Sequence, residues 1–240
     1  MSTATLERTV GQLVTERPGR ARIFESFGID YCCGGKKPLE VACREKGVDP
    51  KTVLGVLAVL DEQRPDATET DWSQAGLTEL ADHIERSHHA SLKRELPRLS
   101  FLTTKVAHAH GGHRPELVEL RDVFDAFRAE LEAHMAKEEH VLFPLCRKLD
   151  AGVPTRSHCG SVANPIRVMV QEHDDAGDAL ARMRSLTDGY AVPPGACNTY
   201  RAMLAALAEL ELDMHRHVHK ENSILFPKAI DAESRLVARQ

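Results

Sequence analysis

Two segments of this chain are near copies of one another. His134-Met-Ala-Lys-Glu138, followed by Leu142-Phe143-Pro144, returns 83 residues later as His217-Val-His-Lys-Glu221, followed by Leu225-Phe226-Pro227. On an α-helix, residues four apart lie on one face a turn apart, so each copy directs an imidazole and a carboxylate toward one point. A single His-x-x-x-Glu is ordinarily an exposed helical pair, but a duplicated one defines architecture. Upstream, His89 precedes His134 by 45 residues and His173 precedes His217 by 44. The unit is therefore a histidine, a long gap, then His-x-x-x-Glu. Its two copies over residues 77 to 240 predict a helical pair doubled into a four-helix bundle.

These polar residues fall within apolar stripes of helical period. One stripe runs Leu120, Val123, Phe124, Phe127, Leu131, His134, Glu138, Val141, Leu142, Leu145, and another runs Met203, Leu207, Leu210, Met214, His217, Glu221, Ile224, Leu225. His173 continues Ile166, Met169 and Val170 and leads to Ala176, Leu180 and Met183. In the first helix His88 and His89 are adjacent and only one can face inward. Ala81 and Ile84 favour His88, whereas Leu92, Leu96 and Leu99 repeat beyond His89 the spacing found beyond His173. His89 is taken as the inward residue. The remaining histidines, His83, His88, His108, His110, His113, His140, His158, His215 and His219, are expected to be mostly solvated.

Burying two carboxylates without a counter-charge would cost roughly several kcal/mol each. A pair of cations removes that cost. Four imidazoles and two carboxylates suit iron or manganese better than calcium or magnesium, and zinc is satisfied by about four ligands. The expected arrangement has Glu138 and Glu221 bridging two irons, each iron also taking two histidines. Room remains for a bridging oxygen, hence an oxo-bridged pair of non-haem irons, and for an open position where O2 or NO binds. Pro144 and Pro227, six residues beyond each glutamate, are expected to kink or end their helices.

At 240 residues with 42% hydrophobic content, the chain can hold one large domain and one small one. Residues 1–65 read as a small helical domain with helices at Leu6 to Thr15, from Pro18, at Leu39 to Arg44 and at Lys51 to Leu60; 66–76 as a linker; and 77–240 as the bundle. A net charge of −5 with interspersed signs gives no nucleic-acid footprint. The chain carries neither a leader pattern nor a membrane span, so a soluble, cytoplasmic protein is expected. Cys32, Cys33, Cys43, Cys146, Cys159 and Cys197 contain no C-x-x-C, which argues against a secreted disulfide framework or a zinc ribbon. In Asp30-Tyr31-Cys32-Cys33-Gly34-Gly35 the adjacent thiols read either as a redox-active or metal-handling pair or as small residues packed in a turn. The glycines are expected to supply unusual backbone angles.

With those residues in place, the chain resembles the Repair of Iron Centres family of di-iron proteins. The resemblance covers nearly the whole length. It is carried by Asp30 to Gly35, the His-His-Ala-Ser-Leu-Lys-Arg-Glu-Leu-Pro stretch holding His89, both His-x-x-x-Glu-x-x-x-Leu-Phe-Pro segments, and Glu172-His173-Asp174. It implies an all-α, hemerythrin-like bundle with a small helical cysteine domain, acting in the repair of iron-sulfur clusters after nitrosative or oxidative damage by iron delivery, NO removal, or both. Its iron ligands fall on His89, His134, Glu138, His173, His217 and Glu221, and its cysteine pair falls on Cys32 and Cys33, for which the ligand set and the cysteine domain together suggest a role as thiol reductant or transient iron ligand. Partners implied are proteins with damaged iron-sulfur clusters, with NO or O2 as small ligands. Oxygen-carrying hemerythrins differ: they place a further histidine where this chain has Gly177 and an aspartate where it has Glu221. An NO- or O2-binding sensor or storage module and a di-iron NO reductase are the competing functions.

Overall fold

Caps and turns divide the helices of this chain. The computed structural model describes residues 4–62, 70–153 and 160–238, and no β-strand occurs among them. The helices are α1 Val10–Glu16, α2 Arg20–Ser26, α3 Leu39–Glu45, α4 Pro50–Glu62, α5 Leu77–Ile84, α6 Ala90–His110, α7 Glu116–Lys137, α8 Phe143–Asp150, α9 Ala163–Leu186, α10 Asn198–Lys220 and α11 Phe226–Val237. Three π-helical turns interrupt this series at Glu85–His89, Glu138–Leu142 and Glu221–Leu225. Of the expected linker, residues 66–69 lie outside the described residues, as do His158 and Cys159; its described end carries a 3-10 turn, Trp72–Gln74. None of the described helices is long and apolar enough to cross a membrane.

Two compact units form. The terminal unit comprises Met1–Ala81, Cys146–Val162 and His215–Gln240, and the central unit comprises Asp82–Leu145 and Ala163–Met214.

In the terminal unit α1 starts at Val10, later than the Leu6 its apolar pattern suggests. Thr9 decides this: its side chain accepts the Gln12 N–H while Gln12 accepts the Thr9 N–H, a reciprocal box that ends the extended chain. Gly28 and Gly47, with φ of 64° and 67°, stop α2 and α3 as expected. Leu13, Phe24, Tyr31, Leu39, Val53 and Leu57 close a local core. Arg20 is buried in it and donates to Asp61 at 2.6 and 3.1 Å and to the Leu13 carbonyl at 3.1 Å, which satisfies the guanidinium where no water reaches. Asp150 caps α5 by accepting the Leu77 and Thr78 N–H groups at 3.2 and 3.1 Å.

In the central unit α6 packs on α7 and α7 on α9. Leu96 and Leu99, Phe124 and Phe127, Met169 and Met183, and Met203 and Leu207 form the buried faces of α6, α7, α9 and α10. The one misfit is Val141, expected in the α7 stripe but 41% exposed. A π turn accommodates one extra residue, so after Glu138 the inward phase slips and falls on Leu142, Phe143 and Leu145.

Candidate metal centre

Each of the three π turns coincides with a residue singled out from sequence. His89 ends the first, and Glu138 and Glu221 begin the others. In those two turns the glutamate carbonyl accepts the N–H five residues on, from Phe143 and Phe226 respectively. Pro144 and Pro227 come next and bring no N–H to the following rung, so the ladder is rearranged where it would have been broken. The helix continues as α8 or α11. The expected kink or stop is therefore a widened turn at the glutamate.

In the central unit Glu138 is fully buried, and its Oε2 stands 3.3 Å from both His89 Nε2 and His134 Nε2. His173 Nε2 lies 3.1 Å from His134 Nε2. The donor atoms of His134, Glu138 and His173 fall within 4.8 Å of one another, a cluster able to hold a metal ion. The tautomers of His89 and His134 fit a ligand role. His89 Nδ1 faces Glu139 Oε1 at 2.8 Å and His134 Nδ1 faces Glu172 Oε2 at 2.8 Å, so each ring donates outward and turns the Nε2 lone pair inward. Each outer carboxylate is anchored in turn by a lysine, Glu139 by Lys93 at 2.6 Å and Glu172 by Lys137. Burial by itself would push both carboxyls up, but the lysine and histidine beside each hold them below the usual carboxylate range. A cavity of about 260 Å3 reaches His134 and His173, walled by Phe127, Leu131, Ala176 and Met214.

In the terminal unit His217 and Glu221 are both fully buried, with Nε2 and Oε1 2.9 Å apart. The cysteine turn belongs to the same unit. His219 Nδ1 donates to the Tyr31 carbonyl and Asn222 Nδ2 to the Cys32 carbonyl, both at 3.4 Å, so the turn is held by residues on either side of Glu221. Burial pushes the His219 pKa down to about 4 and keeps the ring neutral. Gly34 and Gly35 do not take the left-handed angles expected of them. They are required for closeness, since a Cβ at Gly35 would meet the Tyr31 carbonyl at 2.7 Å and one at Gly34 the Asp30 carbonyl at 3.0 Å. Hydrogen bonding to Cys33, burial and the Asp30 charge push the Cys32 thiol well above its ordinary range.

A family model described as the Hemerythrin HHE cation binding domain matches residues 80–229, and a second, a domain of unknown function, matches 6–61. Over nearly its whole length the chain is similar to proteins named iron-sulfur cluster repair protein YtfE. Identity is 39% over 224 residues with that of Edwardsiella ictaluri, covering 93% of this chain and 97% of the relative. It is 36% with that of Escherichia coli and 34% with that of Musicola paradisiaca, each over 228 residues and covering 95% of this chain and 98% of the relative. This chain belongs to the hemerythrin-like iron-sulfur cluster repair family.

For this family member, then, the structure brings His89, His134, Glu138 and His173 together in one unit and pairs His217 with Glu221 in the other. His88, the alternative to His89, is buried elsewhere, its Nδ1 2.8 Å from Asp213. His88 and His219 are buried, contrary to the solvated role expected of most of the remaining histidines. Periodicity also passed over Glu139, Glu172, Lys93 and Lys137. The available signal was adjacency: each glutamate neighbours a candidate ligand in sequence, and each lysine follows a candidate histidine by a single helical turn.

Proposed function

We propose that this chain repairs iron-sulfur clusters damaged by nitrosative or oxidative stress, using two non-haem irons held by His89, His134, Glu138, His173, His217 and Glu221. The reading joins the name carried by its relatives to the donor set. The observation that carries it is the buried His134, Glu138 and His173 cluster, in which the Glu172 carboxylate turns the His134 Nε2 lone pair inward. Symmetry of the sequence repeat assigns Glu138 and Glu221 equivalent roles, and the hemerythrin match at 80–229 spans all six residues. Iron so bound would supply redox chemistry toward NO or O2 and a transferable metal. The protein residues do the rest. Glu139 and Glu172 hold the ring tautomers, Lys93 and Lys137 keep those carboxylates ionised, and the apolar wall of the cavity leaves space beside His134 and His173 for a diatomic. Cys32 and Cys33 act as thiol reductant or transient iron ligand. The reading sets the protein in the cytoplasm, and keeps the division into a 1–65 cysteine domain, a 66–76 linker and a 77–240 bundle.

Glu138→Gln with Glu221→Gln is expected to abolish iron loading and the reactivation of an NO-damaged cluster protein; a double variant that retains two irons per chain would sink the ligand assignment. Cys32→Ser with Cys33→Ser should keep the iron but impair reactivation. The cavity at His134 and His173 also favours a second reading, catalytic NO reduction. Many turnovers of NO with a chemical electron donor would favour that reading, and stoichiometric consumption of iron would favour delivery.

A further inference from the structure

Adjacent side chains in an extended chain point to opposite sides, yet Cys32 and Cys33 do not. The Asp30 carboxylate curls the backbone around itself, accepting the Cys32 and Cys33 N–H groups on Oδ1 at 2.9 and 3.0 Å and the Gly34 N–H on Oδ2 at 2.8 Å. Cys32 Sγ consequently stands 3.8 Å from Cys33 Sγ and 3.1 Å from Asp30 Oδ1. All three donor atoms fall within 4.8 Å of one another. A disulfide would require the sulfurs about 2.0 Å apart. Two thiolates at about 2.3 Å from a tetrahedral cation stand about 3.8 Å apart. The sulfur separation is that of a chelate.

We propose that Asp30, Cys32 and Cys33 form a separate metal site that takes one thiophilic divalent cation of the iron and zinc class through two thiolates and a carboxylate. Loading forms two metal–sulfur bonds and one metal–oxygen bond as two thiol protons leave to water, with no change of oxidation state. Cys32 is buried while Cys33 is half-buried and Asp30 exposed, so the cation is reached from the solvent side, where a fourth ligand can come from outside the chain. Gly34 and Gly35 let the turn close tightly behind the donors. Because His219 and Asn222 grip the carbonyls of Tyr31 and Cys32, the site sits on a loop tied to residues on either side of Glu221. In the repair reading this is a holding point for iron, and that purpose rests on the reading; the existence of the site does not.

The test uses the full-length, iron-loaded protein, titrated without oxygen with Co2+ and followed by near-ultraviolet thiolate-to-cobalt charge-transfer absorption and by proton release. One equivalent of Co2+ should develop the band and release about two protons per chain, with the bound iron retained. Cys33→Ser, at the half-buried position, should abolish the band; Cys32→Ser should do the same. Asp30→Asn, which keeps a turn-forming oxygen but loses the charge, should weaken binding by at least about tenfold. The Glu138→Gln and Glu221→Gln double variant should keep the band, so failure of the di-iron reading leaves this result untouched. Absence of the band, its survival in Cys33→Ser, undiminished affinity in Asp30→Asn, or its loss in the double glutamate variant would each overturn the assignment.

Discussion

Glu172→Gln tests whether the outer carboxylates make the histidines into ligands. In the wild type one carboxylate oxygen takes the His134 Nδ1 proton at 2.8 Å and the other takes Lys137. An amide cannot serve both. With its oxygen toward His134, its NH2 meets the Lys137 ammonium, donor against donor. Reversed, its NH2 donates to His134 Nδ1 and drives the ring proton onto Nε2, the nitrogen 3.3 Å from Glu138. A ligand ring whose outer carboxylate is lost, or whose proton sits on the inward nitrogen, is expected to bind metal roughly 10- to 100-fold more weakly. The assay is equilibrium and rate of Fe2+ transfer to a chromogenic chelator under anaerobic conditions. Folding should barely respond, because Lys137 is 47% exposed and such pairs contribute under about 1 kcal/mol. Iron retention within about threefold of wild type would refute the reasoning, as would a fall in metal-free stability large enough to account for the loss.

Deleting Val141 should close the Glu138–Leu142 turn to α-helical pitch, preserving the downstream inward phase but displacing Glu138 and forcing the Pro144 ring onto a carbonyl. The expected result is loss of iron and about 3 kcal/mol of stability by urea denaturation, with Pro144→Ala on the deletion recovering stability but not iron. Asp150→Ala removes the α5 cap and should cost about 1 kcal/mol at neutral pH. The Asp150 carboxyl, which burial alone would raise, is held below its usual range by hydrogen bonds from Thr78 and Leu77 and by Lys228. A depressed folded pKa means stability that is present above the unfolded value, about 3.9, and lost as pH falls through the folded one. The gap between wild type and variant should therefore narrow in acid; a constant gap in urea midpoints down to the acid limit would count against the cap.

Helical period was enough to place the buried faces of α6, α7, α9 and α10, because burial in a bundle depends on spacing alone. It could not place Val141, since a π turn adds a residue without changing composition. Nor could it start α1 correctly: Leu6 continues the apolar pattern, but a hydrogen-bonded pair, Thr9 with Gln12, sets the boundary. Glu139 and Glu172 are charged residues beside buried ones and look like solvent-facing positions in any periodic reading. Their role lies in a hydrogen bond to the far side of a ring on another helix, a contact that only tertiary packing creates. His88 and His219 are buried for the same kind of reason, each answering a specific acceptor, Asp213 or the Tyr31 carbonyl.

The three widened turns also bear on how such a chain can change over time. Each amounts to a one-residue insertion in an otherwise regular helix, placed where a side chain must be re-aimed. Shortening any of them brings back ideal hydrogen bonding, most readily at Glu85–His89, where no proline follows within the next turn. Selection for thermal stability alone would therefore favour deletions at these places, and the lineage can keep all three only while the metal chemistry is required of it.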